Sequence, residues 1–162
     1  MTRTPNSLVL HSLALLWGLT SLTACDRAPA PTAEPAAATP KSPDADKKAD
    51  GYTLTVKDWE GPKDEEGYVV VTVQAKDGHK INKDYPHKLS LDEPPKGLKL
   101  PMRTMKLADA EVDGEKRLVF SIPTVADADG EFAIAGTLKT SVCNDDICQI
   151  AKEKLAARVV AQ

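Results

Sequence analysis

Gly67-Tyr68-Val69-Val70-Val71-Thr72-Val73-Gln74-Ala75 is dominated by β-branched residues and loosely alternates apolar with polar positions. Such a run reads as a half-buried β-strand, and Asp77-Gly78, one residue beyond it, supplies a turn. The same pattern recurs on both sides. Upstream, Tyr52-Thr53-Leu54-Thr55-Val56 alternates; downstream, strand-like segments fall at residues 87–91, 103–110, 116–122, 131–141 and 155–160. Asp113-Gly114 and Asp129-Gly130 punctuate them. About eight short strands at this spacing predict an all-β fold, an antiparallel immunoglobulin-like β-sandwich. Ala151-Lys152-Glu153-Lys154-Leu155-Ala156-Ala157 alone has helical propensity, and a strand there requires tertiary context to override it. Residues 51–162 are long enough for one self-sufficient core.

Upstream of this domain the composition changes. Residues 26–50 read DRAPAPTAEPAAATPKSPDADKKAD, with 13 of 25 positions Ala or Pro and no aromatic, Leu, Ile or Val. Nothing in it offsets the entropy of ordering, so residues 25–50 are expected to form a disordered tether. Before it, the run Leu8–Leu22 is mostly apolar and about 15 residues long, too short to span a bilayer and suited to a signal-peptide core. It leads into Leu22-Thr23-Ala24-Cys25. Small residues ahead of a cysteine after an apolar run read as a lipoprotein cleavage site. Residues 1–24 are therefore expected to be removed and Cys25 lipidated. Their removal takes away one cation, Arg3, and no acid, so the net charge moves from -3 to -4. An acidic chain gains nothing from anionic headgroups, and membrane attachment would rest on the lipid at Cys25. The expected location is the bacterial cell envelope, anchored by lipid and facing the periplasm or the exterior.

Charge and composition narrow the function further. Lys and Arg total 21 against 24 Asp and Glu, and aromatics make up 4%. Nucleic acid is thereby excluded as the main partner, because phosphate binding needs a basic excess and single strands need stacking platforms. No nucleophile elbow, phosphate-binding glycine loop or zinc-protease helix is present, so no cofactor is expected.

Two cysteines remain, in Ser141-Val142-Cys143-Asn144-Asp145-Asp146-Ile147-Cys148-Gln149. Strand-like flanks around a polar Asn-Asp-Asp centre place Cys143 and Cys148 at facing positions near a hairpin turn. Directly opposed Cβ atoms there lie about 4.5–5.5 Å apart, close enough to bridge. An exported chain meets oxidising conditions in which the bridge forms. Closing so short a loop contributes only about 2 kcal/mol. Such a bridge is compatible with a redox or conformational role and equally with a purely structural one.

The run Val142–Cys148, followed by a Lys-containing apolar strand, resembles the N-terminal periplasmic domain of the thiol:disulfide interchange protein DsbD. A second stretch agrees: Gly78-His79-Lys80-Ile81-Asn82-Lys83-Asp84-Tyr85-Pro86-His87-Lys88-Leu89, then Glu93-Pro94-Pro95-Lys96-Gly97-Leu98. The resemblance implies an immunoglobulin-like sandwich, here on a lipoprotein by itself, whose Cys143 and Cys148 relay electrons. The implied partners are periplasmic thioredoxin-like proteins or a membrane electron conduit. That family covers its cysteines with an aromatic-bearing loop, for which Tyr85 is the nearest counterpart here. Asp145 and Asp146 oppose thiolate formation nearby and favour a passive relay over an oxidant. The other reading is a non-catalytic envelope binding module with a structural disulfide.

The remaining constellations read as structure. His79 and His87 are expected as exposed strand-edge residues rather than metal ligands, because the cysteine spacing does not suit zinc. Asp127-Ala128-Asp129-Gly130-Glu131 is read as a tight turn, residues 63–66 as a solvated loop, and Trp59 and Tyr68 as core or sheet-edge fillers. Met102 and Met105, three apart on a strand, should face opposite sides.

Overall fold

The computed structural model describes residues 46–162, with side chains from residue 49 onward. The signal segment, Cys25 and most of the tether lie outside the described residues. The described residues form twelve strands, the longer of which alternate in burial along the apolar pattern: β1 (Asp46–Lys48), β2 (Tyr52–Lys57), β3 (Trp59–Gly61), β4 (Glu66–Ala75), β5 (Lys80–Ile81), β6 (Lys88–Leu91), β7 (Leu98–Lys99), β8 (Thr104–Lys106), β9 (Glu111–Asp113), β10 (Arg117–Ala126), β11 (Gly130–Cys143) and β12 (Cys148–Ala161). A 3-10 turn, Leu107–Asp109, follows β8.

Two sheets form the immunoglobulin-like sandwich. One runs β1-β2-β4-β10-β7 with β9 beside β10; the other runs β3-β12-β11-β6-β8 with β5 beside β11. All pairs are antiparallel except β3 with β12, which is parallel over Val159↔Trp59 to Ala161↔Gly61. The chain leaves β2, turns at Asp58 and passes to the second sheet without a hairpin. The Asp58 carboxylate holds that corner, accepting from the Arg158 backbone N–H at 2.8 Å and from its Nε at 3.0 Å.

Residues of both inner faces make the core. Val69, Val71 and Val73 of β4 and Leu118, Phe120 and Ile122 of β10 face Leu138, Val142 and Val159 of the second sheet, all fully buried. Tyr52 of β2 bridges the sheets by donating its hydroxyl to Glu153 of β12 at 2.8 Å. Burial, and then that carboxylate, push the Tyr52 phenol well above its ordinary range. Trp59 packs partly buried on the edge strand β3, while Tyr68 is 47% exposed and donates to Glu66. Met105 of β8 is buried and Met102 exposed, but β8 begins only at Thr104, so Met102 lies ahead of the strand and its exposure does not come from strand alternation.

Several segments differ from the sequence expectation. Strand pairing begins ahead of Gly51, because β1 lies within the stretch read as tether and pairs with β2 from Asp46↔Thr55 to Lys48↔Thr53. Backbone hydrogen bonding to an open strand edge does not require apolar side chains, so composition did not announce it. The helix-favouring residues 151–157 are strand throughout. Each is opposed by a β11 residue, and Leu155, Ala157 and Val159 alternate into the core. Context has overridden propensity there.

Candidate functional site

The β11–β12 hairpin ends in Asn144-Asp145-Asp146-Ile147. Asn144 shapes the turn: its backbone N–H donates to the Ile147 carbonyl at 3.0 Å, and its Oδ1 accepts from the N–H groups of Asp146 and Ile147 at 3.0 and 2.8 Å. A short polar side chain that bonds the backbone two and three residues on is what an Asx turn needs. This fixes Cys143 opposite Cys148 on the next rung, with Cα atoms 3.9 Å apart and the sulfurs joined as a disulfide.

The two cysteines occupy different surroundings. Cys143 is 7% exposed, on a strand flanked by β12 on one side and by β5 on the other, with Lys80 as its rung partner. Cys148 is exposed at the start of β12. Beside it Ile147 is 57% and Ile150 70% exposed, the two largest exposures among the big apolar side chains described. Of the two, Cys148 is the residue more open to an attacking thiolate from another molecule. Exchange depends on which sulfur is accessible to attack.

A cleft of about 260 Å³ opens at Cys143, lined by His79, Lys80, Glu115, Lys116 and Asp145 among others. Its walls are built by turns. The Asp77-Gly78 turn closes through the His79 N–H to Lys76 carbonyl bond at 3.0 Å, with Gly78 at φ +74. The β9–β10 turn is pinned alongside: Ala75 N–H donates to the Lys116 carbonyl and Ile81 N–H to that of Glu115. The Lys116 ammonium donates to the carbonyls of His79 (2.7 Å) and Lys76 (3.1 Å), fastening the two turns together. His79 packs over Gly51, where a Cβ would meet its ring carbon at 2.8 Å.

A buried polar cluster is built on Thr140 and Ser141, just ahead of Cys143 on β11. His87 is 1% exposed; its Nε2–H donates to the Asn82 carbonyl at 2.8 Å, leaving Nδ1 to accept from the Thr140 hydroxyl at 3.0 Å. Burial holds the His87 imidazole below its ordinary value, against the opposing pull of the Asn82 carbonyl. Asn82 also donates its side-chain amide to Ser141 Oγ at 3.4 Å. Residues 82–87 are in this way tied to Thr140 and Ser141, the part of β11 just before Cys143.

The predicted pair Cys143 and Cys148 is brought together as expected. His79 lines the cleft, half-buried, and His87 is buried, so neither is the exposed edge residue that the sequence led us to expect. Strand alternation gave no sign that the 82–87 loop folds back over β11. Tyr85 meets His87 edge-on with ring centroids 5.4 Å apart, and is not among the residues lining the Cys143 cleft. Sequence reading also missed Lys80 and Lys116. Their place beside Cys143 depends on the β5–β11 register and the β9–β10 turn, more than 25 residues away along the chain.

Fold and site define a β-sandwich carrying a solvent-open disulfide at the tip of its longest hairpin. No family model and no curated protein matches this chain. Among solved structures it is similar to AggA, the major subunit of aggregative adherence fimbriae type I from Escherichia coli. The identity is 13% and the TM-score 0.37, over 68% of this chain and 94% of that one.

Proposed function

We propose that this protein is a lipid-anchored envelope lipoprotein that passes electrons between thiol proteins through the Cys143–Cys148 pair. The observation that carries the reading is the asymmetry of the bridge, with the exposed Cys148 bonded to the buried Cys143. A partner dithiol attacks with one thiolate on Cys148. The Cys143–Cys148 bond breaks, a mixed disulfide forms and the electron pair stays on Cys143. The partner's second thiolate then attacks its own sulfur in the mixed disulfide and releases Cys148. The partner leaves as a disulfide and this chain holds two thiols. The step runs backwards when an oxidised protein is the acceptor. Partners of this chemistry are thioredoxin-like periplasmic proteins or a membrane electron conduit, and Cys25 would hold the domain near them.

The bridge has little structural task, since β11 and β12 are already paired from Gly130↔Ala161 to Cys143↔Cys148. The test is the redox state of the pair in growing cells, read by trapping thiols with a maleimide, together with a Cys143→Ser/Cys148→Ser strain. Turnover between two states, and altered thiol states of other envelope proteins in the double variant, are the expected results. A pair that stays oxidised, with no effect of the double variant, overturns the reading.

Exposed Ile147 and Ile150 favour a second reading, a non-catalytic binding module whose tip docks an apolar surface. That reading predicts equal partner capture with Ser at both cysteine positions.

A further inference from the structure

We infer that Lys80 is the charge partner of the sulfur left behind when the bridge opens, stabilising the thiolate at Cys143 and so setting the rate of exchange. The inference rests on the relay reading above and adds a residue to it.

Lys80 of β5 and Cys148 of β12 oppose Cys143 of β11 from either side, making one three-strand row. Directly opposed residues of antiparallel strands project from the same face. Lys80 and Cys143 accordingly line the same cleft, whereas Cys148 does not line it. Attack on the exposed Cys148 therefore delivers the new negative charge into the cleft, on the side where Lys80 stands.

The other charged or titratable groups around that sulfur are His79 on the turn before β5, Glu115 and Lys116 on the β9–β10 turn, and Asp145 on the hairpin. The Lys116 ammonium is occupied by two backbone carbonyls. Lys80 makes no ion pair among the described residues, and Glu115, which lines the same cleft, carries the opposing charge. Asp145 sits two residues beyond Cys143 and acts with the opposite sign. A thiol that leaves more readily as its anion speeds exchange, because the rate depends on the leaving group. A cation one strand away provides that help without touching the attacked sulfur.

The test uses the purified full chain in detergent, with dithiothreitol as the attacking dithiol and maleimide trapping to follow opening. Lys80→Met should open roughly threefold more slowly than the natural chain, and Lys80→Glu more slowly still. Lys80→Arg should restore the rate, and Lys83→Met, outside the cleft, should match the natural chain. Asp145→Asn should open faster. In a Cys148→Ser background, Lys80→Met should move the ultraviolet thiolate absorbance of Cys143 to higher pH. Raised salt should shrink every Lys80 difference, which lost packing would not do. Natural-chain rates for both Lys80→Met and Lys80→Glu overturn the inference, as does an unmoved thiolate curve. Because dithiothreitol stands in for the partner, these results are independent of the cellular redox test, on which the relay reading itself stands or falls.

Discussion

Cys143 and Cys148 share one rung of the β11–β12 hairpin, Cα atoms 3.9 Å apart, but not one environment: the first is 7% exposed and the second opens to solvent. The difference follows from their neighbours. Cys143 lies between two strands, with Asn82 bonded to Ser141 two residues before it. Cys148 begins a strand whose other neighbour, β3, reaches only Val159–Ala161. On the proposed relay, attack would fall on Cys148 for that reason.

Once the bridge is reduced, Cys148 should react with a bulky alkylating reagent about tenfold faster than Cys143, since access to the thiolate limits modification. Peptide mass mapping after a short pulse of reagent reads this. Equal labelling would remove the basis for assigning attack to Cys148.

Replacing both cysteines by Ser should lower stability by about 2 kcal/mol, the chain-entropy value for so small a loop. Urea denaturation of both forms measures it. A loss of about 5 kcal/mol or more would mark the bridge as a structural staple.

His87 makes stability depend on pH, with a definite sign. Its folded-state value is lowered by burial, so the unfolded chain binds the proton first as pH falls. The contribution is complete above the ordinary histidine value and is lost as pH drops through that value towards the folded one. Thermal melts between about pH 7.5 and 5.5 should show falling stability, and His87→Gln should flatten the slope in that window. An unchanged slope in the variant would place the proton uptake elsewhere.

Gly67 is required by Trp59. A Cβ at Gly67 would lie 1.9 Å from the indole ring, so Ala forces the ring off its seat between β3 and β4. Gly67→Ala should cost about 1–3 kcal/mol and change the tryptophan fluorescence. In a Trp59→Ala background the same change should cost much less, because the two residues touch. Full additivity of the two substitutions would contradict the contact.

What the sequence disclosed and what it withheld divide along a physical line. Strands with a buried face announced themselves through Val69, Val71 and Val73 or Leu118, Phe120 and Ile122, because period-two burial is written into residue order. The Asp77-Gly78 turn and the hairpin holding Cys143 opposite Cys148 were legible because turn chemistry is local. Short strands such as β1, β5 and β7 were not, since two or three residues carry no period and exist only through backbone pairing to a neighbour. The site divides in the same way. Its sulfurs were readable, whereas Lys80 and the burial of His87 arise from long-range register that no local pattern encodes.

The most direct test of the relay reading is the reduction potential of the Cys143–Cys148 pair, obtained by equilibrating the purified full chain in glutathione buffers of graded poise. The expected value lies between about -180 and -230 mV, the range of proteins that exchange disulfides. A value below about -300 mV, where structural disulfides resist the glutathione pool, would contradict it.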